Sequence, residues 1–383
     1  MSFNSSSGTA SLRANGRPTL YSYYTLQEKL GQGSFGQVNA CVHKETAMIC
    51  AVKMIDLRGA SGKVSKRRKT EVSQELTMWR RLNGHKHIVS LIDTFFTEEF
   101  SSFVMEKCEC SLLGMMDANF EEGQLFSCIF PQMLLGLQHC HTKNCIHRDV
   151  KPTNFLLDSN RVVKLADFGC AIDRSQAPGG IVGTVPYMSP EMCEGFRHGF
   201  ETDIWSFSAS VYLLLYGRHP YAPKKPTMAE SSQDKKEKKN AIMLAILSNN
   251  PKPRFTSATK WPYQRSSCAQ RFVQAVLERD LAKRPDAGVC LELLEVYRAS
   301  SSPCEECIEQ PRRTFAVSFG QGDSLCAVHL ITTCSSHEEK FCYGEILTTT
   351  DKMNPSGVST MATSGEASLT SHKSRSRQAL ISL

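Results

Sequence analysis

"HRDVKPTN" (residues 147–154) and "DFG" (167–169) carry the residues that decide this chain's fold. Asp167 follows Asp149 by eighteen residues. Asn154 and Asp167 supply the carbonyl and carboxylate oxygens that Mg²⁺ prefers beside substrate phosphates. Asp149 is then free to accept a proton from a hydroxyl. Working outward, a chain that holds a metal and phosphates at one end of this stretch needs further cations and a phosphate cradle elsewhere.

Upstream, "GQGSFGQV" sets Gly31, Gly33, Gly36 and Val38 in a glycine-rich loop. Glycines let the backbone close on phosphate oxygens, where a Cβ would collide. Dinucleotide-binding folds carry the same spacing but place a helix directly after it. Here "QVNACVH" alternates like a strand, so the loop joins two strands. Lys53, in "AVK", lies on the strand that follows. In "EVSQELTMWRRL" (71–82), helical spacing puts Val72, Leu76, Trp79 and Leu82 on an inner face that also carries Glu75. A carboxylate on an apolar face is costly unless a cation meets it. Lys53 is the expected partner.

Short alternating runs dominate from Tyr24 to about Leu91, and helical spacing dominates from about Leu112 to Arg298. This predicts an α+β, two-lobed unit: a small β-rich lobe at about 24–107 with one key helix, and a larger helical lobe at about 108–298. Residues 1–23 are expected to be a disordered tail, and 299–383 a Ser/Thr-rich, largely disordered one. An apolar content of 41% supports a packed core. The longest apolar run, "VYLLLY" (211–216), is too short to span a bilayer and reads as a buried helix.

The N-terminus lacks the apolar region of a secretory signal, and sixteen cysteines without one point to reduced thiols. The expected compartment is cytoplasmic, with the nucleus as the alternative. The net charge of +7 owes much to "KVSKRRK" (63–69) and "KKPTMAESSQDKKEKK" (224–239). Each reads first as a solvated loop; nuclear import or docking of an acidic partner is the sharper alternative. No nucleic-acid or membrane partner is expected. "CEEC" (304–307), with His329, Cys334 and Cys342 beyond, lacks the second paired spacing of a zinc site.

Taken in order, GQGSFGQV, AVK, the helix Glu75, HRDVKPTN, DFG, and SPE in place of APE resemble the eukaryotic protein kinase family of serine/threonine type, over about residues 24–298. Asp203 in "DIWSF" and Arg284 in "LAKRP" belong to the same resemblance. It implies a bilobal fold, ATP and Mg²⁺, and transfer of the γ-phosphoryl group to hydroxyls of protein substrates. Lys53, held by Glu75, would grip the α- and β-phosphates under the glycine loop. Asn154 and Asp167 would hold Mg²⁺, Lys151 would neutralise the moving phosphoryl, and Asp149 would orient the incoming hydroxyl. Thr184 would bond to Asp149 and Lys151. Adenine would lie between Val38 and Ala51 above and Leu156 below, with Met105 behind it and Glu106 to Cys108 offering backbone bonds. Asp203 would brace the catalytic loop, Arg284 would pair with Glu191, and Leu91, Trp79, Phe168 and His147 would stack between the lobes.

By the same resemblance, residues 167–191 form an activation segment. An arginine such as Arg148 often meets a loop phosphate there. The usual acceptor position falls near Gly179 and Gly180, which have no hydroxyl. Either Ser175 serves from farther away, or the loop orders itself without phosphate; the second reading is favoured. Ser208 stands where the family often has glycine, a change that helix packing can absorb. Cys170, beside the nucleotide pocket, is expected to be a buried, inert thiol.

Overall fold

In the computed structural model, residues 18–33, 36–59, 61–116, 121–176, 178–221, 232–258, 265–300, 313–316 and 327–330 are described. The small lobe is a five-stranded antiparallel sheet in the order β1-β2-β3-β5-β4. Its strands are β1 (Tyr24–Gly33), β2 (Gly36–His43), β3 (Ile49–Asp56), β4 (Leu91–Phe96) and β5 (Phe100–Glu106). Register fixes what the site needs. Gly31 faces Val38, Val38 faces Lys53, and Ala51 faces Met105 across the ladders. Gly36 is confined by the neighbouring strand: a Cβ there would overlap the Met54 carbonyl.

Helix α2 (Lys66–Leu82) crosses this sheet and buries Val72, Glu75, Leu76, Met78, Trp79 and Leu82. It begins five residues before the expected start. Ser65 caps it by accepting from the Arg68 N–H at 3.4 Å, and Lys and Arg are good helix formers. Four residues of the basic run expected as a solvated loop, Lys66 to Lys69, therefore open a helix. Residues 19–23, expected as part of a disordered tail, are instead packed into regular structure. Thr19 and Leu20 are buried, α1 (Leu20–Tyr23) forms a short helix, and Leu20 packs with Tyr24, Cys41, Cys50, Val52 and Val104. An apolar residue beside an uncovered sheet face stays ordered because burial removes it from water.

The large lobe is helical, so the α+β, bilobal expectation is met. Short α3 (Glu122–Gln124) runs through a π-turn at Leu125–Ile129 into α4 (Phe130–Thr142). The strands β6 (Cys110–Ser111), β8 (Phe155–Leu157) and β9 (Val163–Leu165) form one small sheet, and β7 (Cys145–Ile146) pairs with β10 (Ile172–Asp173). The helices α5 (Pro190–Glu194), α6 (Phe200–Tyr216), α7 (Ser232–Ser248), α8 (Ser267–Val276) and α9 (Ala287–Ser300) follow. From Thr202 to Tyr216 every residue of α6 is buried, as expected for "VYLLLY". The Ser208 hydroxyl lies 2.7 Å from the carbonyls of both Ile204 and Val276, so the residue in the glycine position joins α6 to α8.

Residues 232–239 of the second basic run are the first turns of α7, not a loop; 222–231 lie outside the described residues. Beyond residue 300, β11 (Arg313–Ala316) and β12 (Ala327–Leu330) pair as a two-stranded sheet within the stretch expected to be largely disordered. Both are rich in strand formers. Cys304, Cys307, Cys334 and Cys342, together with residues 354–377 of the expected tail, lie outside the described residues. Among the described residues, no helix is long and apolar enough to cross a membrane.

Candidate active site

The loop between β7 and β8 brings four of the expected residues into one bonded group. Thr184 donates its hydroxyl to Asp149 Oδ1 at 2.7 Å. Lys151 Nζ lies 2.7 Å from Asp149 Oδ2 and 2.8 Å from the Thr184 hydroxyl. Asn154 Nδ2 donates to the Asp149 carbonyl at 2.8 Å, which turns its amide oxygen away from that bond. Gly183, the residue before Thr184, has φ of +95°, and any Cβ there would run into the Arg148 carbonyl. The Thr184 hydroxyl reaches Asp149 because the backbone before it comes this close.

Asp203 of α6 holds the start of this loop from beneath. It accepts the backbone N–H groups of His147 (2.9 Å) and Arg148 (2.8 Å), and its Oδ2 lies 3.0 Å from His141 Nε2. Burial alone would raise its pKa; the bond to His141 and the neighbouring positive and N–H groups reverse this and hold it below the usual carboxylate value. Arg148 and Asp167 both take left-handed backbone, with φ of 64° and 62°. Such conformations cost about 1–3 kcal/mol each and persist only where surrounding bonds over-determine them.

Across the cleft, Lys53 Nζ lies 2.7 Å from Glu75 Oε1 and 2.8 Å from Asp167 Oδ1. The pairing expected from Glu75's place on the inner face of α2 is present, and it includes Asp167. Burial works against the Lys53 charge, but the Asp167 and Glu75 carboxylates outweigh it and raise its pKa above the ordinary lysine value. Asp167 is held below the usual range: burial opposes its charge and Lys53 more than compensates. Glu75 is raised, because its burial exceeds what Lys53 returns. The pair Asn154 and Asp167 fits a small hard cation in donor type, since both offer oxygen. Among the described residues, no group of three or more His, Cys, Asp or Glu side chains could hold a metal alone. An ion at this pair would therefore draw its other ligands from phosphate and water.

Behind the polar groups runs an apolar column. Trp79 lies 5.8 Å from Phe168 and 6.2 Å from Phe103, ring to ring, and Phe168 lies 5.4 Å from His147. Leu91 is buried in the same cluster. Trp79 is satisfied as well as packed, because its Nε1–H donates to the Val89 carbonyl at 2.7 Å. Val38, Cys108 and Leu156 are partly buried against the cluster that contains Ala51 and Met105, which leaves an apolar wall beside Lys53. The Glu106 N–H is taken by the Ser90 carbonyl at 3.0 Å, so Glu106 can offer a ligand only its carbonyl. Burial pushes the Cys170 and Cys108 thiols up to about 12, so neither is a thiolate near neutral pH.

Arg284 pairs with Glu191 through two bonds, 2.7 and 3.2 Å, deep in the large lobe. Three other residues of the site were not foreseen. Lys164 bridges to Glu106 at 3.0 Å, bracing the connector between the lobes. Arg81, at the end of α2, meets Asp173 of β10 at 2.5 Å. Single charges separated by 92 residues carry no sequence signal for such a pair.

The chain matches the Protein kinase domain family over residues 24–294. It is 28% identical over 267 residues to the serine/threonine-protein kinase pakH of Dictyostelium discoideum, covering 68% of this chain and 47% of that protein. It is 35% identical over 206 residues to the calcium/calmodulin-dependent protein kinase type II of Caenorhabditis briggsae, covering 52% and 38%. A third relative is the calcium-dependent protein kinase 27 of Arabidopsis thaliana, 30% identical over 279 residues and covering 70% and 53%. The chain thus spans about half or less of the length of these curated relatives.

Proposed function

The chain belongs to the protein kinase family, and from that premise we propose that it transfers the γ-phosphoryl group of ATP to serine and threonine hydroxyls of protein substrates. The observation that carries this reading is the bonded triangle of Asp149, Lys151 and Thr184 facing the Lys53–Asp167 pair. It joins a proton acceptor to fixed positive charge on both sides of the space a phosphoryl group would cross. Lys53, kept charged by Asp167 and Glu75, binds the α- and β-phosphates. The backbone around Gly31, Gly33 and Gly36 covers them and excludes water. Val38, Ala51, Met105, Leu156 and the Glu106–Cys108 backbone hold the adenine.

Asn154 and Asp167 hold Mg²⁺, which supplies charge neutralisation to the phosphates when bound. Asp149 orients the substrate hydroxyl and takes its proton, and Lys151 balances the charge on the transferring group. Placement and fixed charge supply most of the acceleration, because alignment of two reactants is worth roughly 7–11 kcal/mol. The lysine-rich stretch at 224–239 is the proposed dock for an acidic partner, supported by the exposed Lys236 and Lys239 of α7. The proposed compartment is cytoplasmic or nuclear, supported by reduced-cysteine chemistry and those basic runs.

The test is transfer of labelled γ-phosphate from ATP with Mg²⁺ to a basic protein and to a peptide library, with Asp167→Ala as control. Label on Ser or Thr that disappears in the control is the expected result. No incorporation, with nucleotide still raising the melting temperature, would sink the catalytic reading and leave a nucleotide-binding scaffold.

A further inference from the structure

The segment after Asp-Phe-Gly is tied down by a carboxylate where no phosphate stands. Asp173, ending β10, meets Arg81 of α2 through Oδ2 at 2.5 Å. Its Oδ1 accepts from the Ser175 N–H at 2.9 Å and from the Ser175 hydroxyl at 2.6 Å. Arg81 also donates to the Lys143 carbonyl at 3.3 Å, and the Arg174 N–H donates to the Asn144 carbonyl at 2.9 Å. The Arg174 guanidinium sits 4.5 Å over the Phe200 ring and so is engaged elsewhere. The Ser175 hydroxyl, and then Arg81, lower the Asp173 carboxyl to about 2, which keeps it charged. Asp173 thereby links the last turn of α2, the helix that carries Glu75, to the activation segment. Ser175 itself is exposed, open to a phosphorylating enzyme.

We propose that Ser175 is a phosphorylation site whose modification turns the enzyme off, an inference that rests on the kinase reading above. A kinase, this one in trans or another, forms an O–P bond between Ser175 Oγ and the γ-phosphorus of ATP. The bridging P–O bond breaks to release ADP, and the hydroxyl proton passes to that kinase's base. Ser175 Oγ then has no hydrogen to donate, and about −1.5 to −2 charges stand beside the Asp173 carboxylate. Repulsion separates Asp173 from residue 175, and the phosphate competes with Asp173 for Arg81. Both effects break the link from α2 to β10. Glu75 loses one of the ties that keep α2 in place, with the Gln74 bond to the Ala171 carbonyl at 3.0 Å left to carry more of the load, the reverse of a loop phosphate that meets Arg148 and activates.

The full chain carrying phosphoserine at 175, made by amber-codon suppression, is compared with unmodified protein and with Ser175→Ala. Peptide phosphorylation is expected to fall about tenfold or more in the phosphoprotein and to stay within about twofold in Ser175→Ala, where Arg81 and the backbone N–H still hold Asp173. Hydrogen exchange at residues 170–176 and 79–82 should quicken in the phosphoprotein alone. Equal or higher activity with unchanged exchange in the phosphoprotein overturns the proposal. An equal loss in Ser175→Ala overturns it too, by showing that the hydroxyl rather than the added charge matters. If the unmodified protein transfers no phosphate, the kinase reading fails, while the exchange arm still decides whether modification opens the link.

Discussion

Three of the residues bonded to Asp149 each set a different feature of its chemistry. Lys151 balances its charge, Thr184 orients one oxygen, and Asn154 holds its backbone carbonyl. Asp149→Asn keeps the size of the side chain but removes the carboxylate proposed as proton acceptor. Phosphotransfer should fall about 10²- to 10⁴-fold while ATP affinity, measured by calorimetry, changes little. Unchanged turnover would remove Asp149 from the role of base. Gly183 offers an independent check on positioning. With φ of +95° and the Arg148 carbonyl pressed against it, Gly183→Ala must shift the backbone that places Thr184. The expected result is a lower kcat with nearly unchanged affinity for ATP; a variant as active as the parent would show that the close approach is incidental.

At the scale of elements, α2 and α6 do most of the positioning. Helix α2 presents Glu75 and Trp79 on one buried stripe, so the ion pair to Lys53 and the ring column move as a unit. Helix α6 is buried nearly throughout and offers Asp203 to the loop above it. The Arg284–Glu191 pair anchors α5 from the other side, with the Arg284 side chain fully buried. Removing one partner strands a charge. Arg284→Ala should destabilise the fold by about 3–5 kcal/mol, read from the shift in denaturant midpoint. A shift under about 1 kcal/mol would mean that the pair forms in a wetter site than its burial indicates.

Across the whole molecule, a partly buried histidine makes stability depend on pH. His219 stacks edge-on to Tyr187, and burial lowers its pKa from 6.5 to about 4. Unfolded chain binds a proton at this histidine below pH 6.5, whereas folded protein resists until about 4. The contribution of His219 is thus complete above 6.5, is lost progressively as pH falls to about 4, and changes no further below that. Melting temperature should drop across this window. His219→Phe, which keeps the ring contact, should flatten part of the drop; an identical pH profile would assign the acid sensitivity to other groups.

Much of this organisation was legible from residue order. The glycine loop followed by an alternating strand, the helix with Glu75 on its apolar face, and the 147–154 and 167–169 motifs together pointed to two lobes and to Lys53, Glu75, Asp149, Asn154 and Asp167, while the family resemblance supplied Thr184 and the residues expected around the adenine. For those five residues local chemistry was enough, because backbone freedom, periodicity and oxygen-donor type act over a few residues. Segment ends were harder. Lys66 to Lys69 look like solvated charge until Ser65 caps them, and Leu20 looks like tail until the sheet beside it supplies a surface to cover. The Arg81–Asp173 link, the Lys164–Glu106 brace and the short approach of Gly183 to Arg148 were decided only by tertiary structure. Each depends on the distance between groups far apart in the chain, and a single charged residue carries no information about which opposite charge the fold will bring to it.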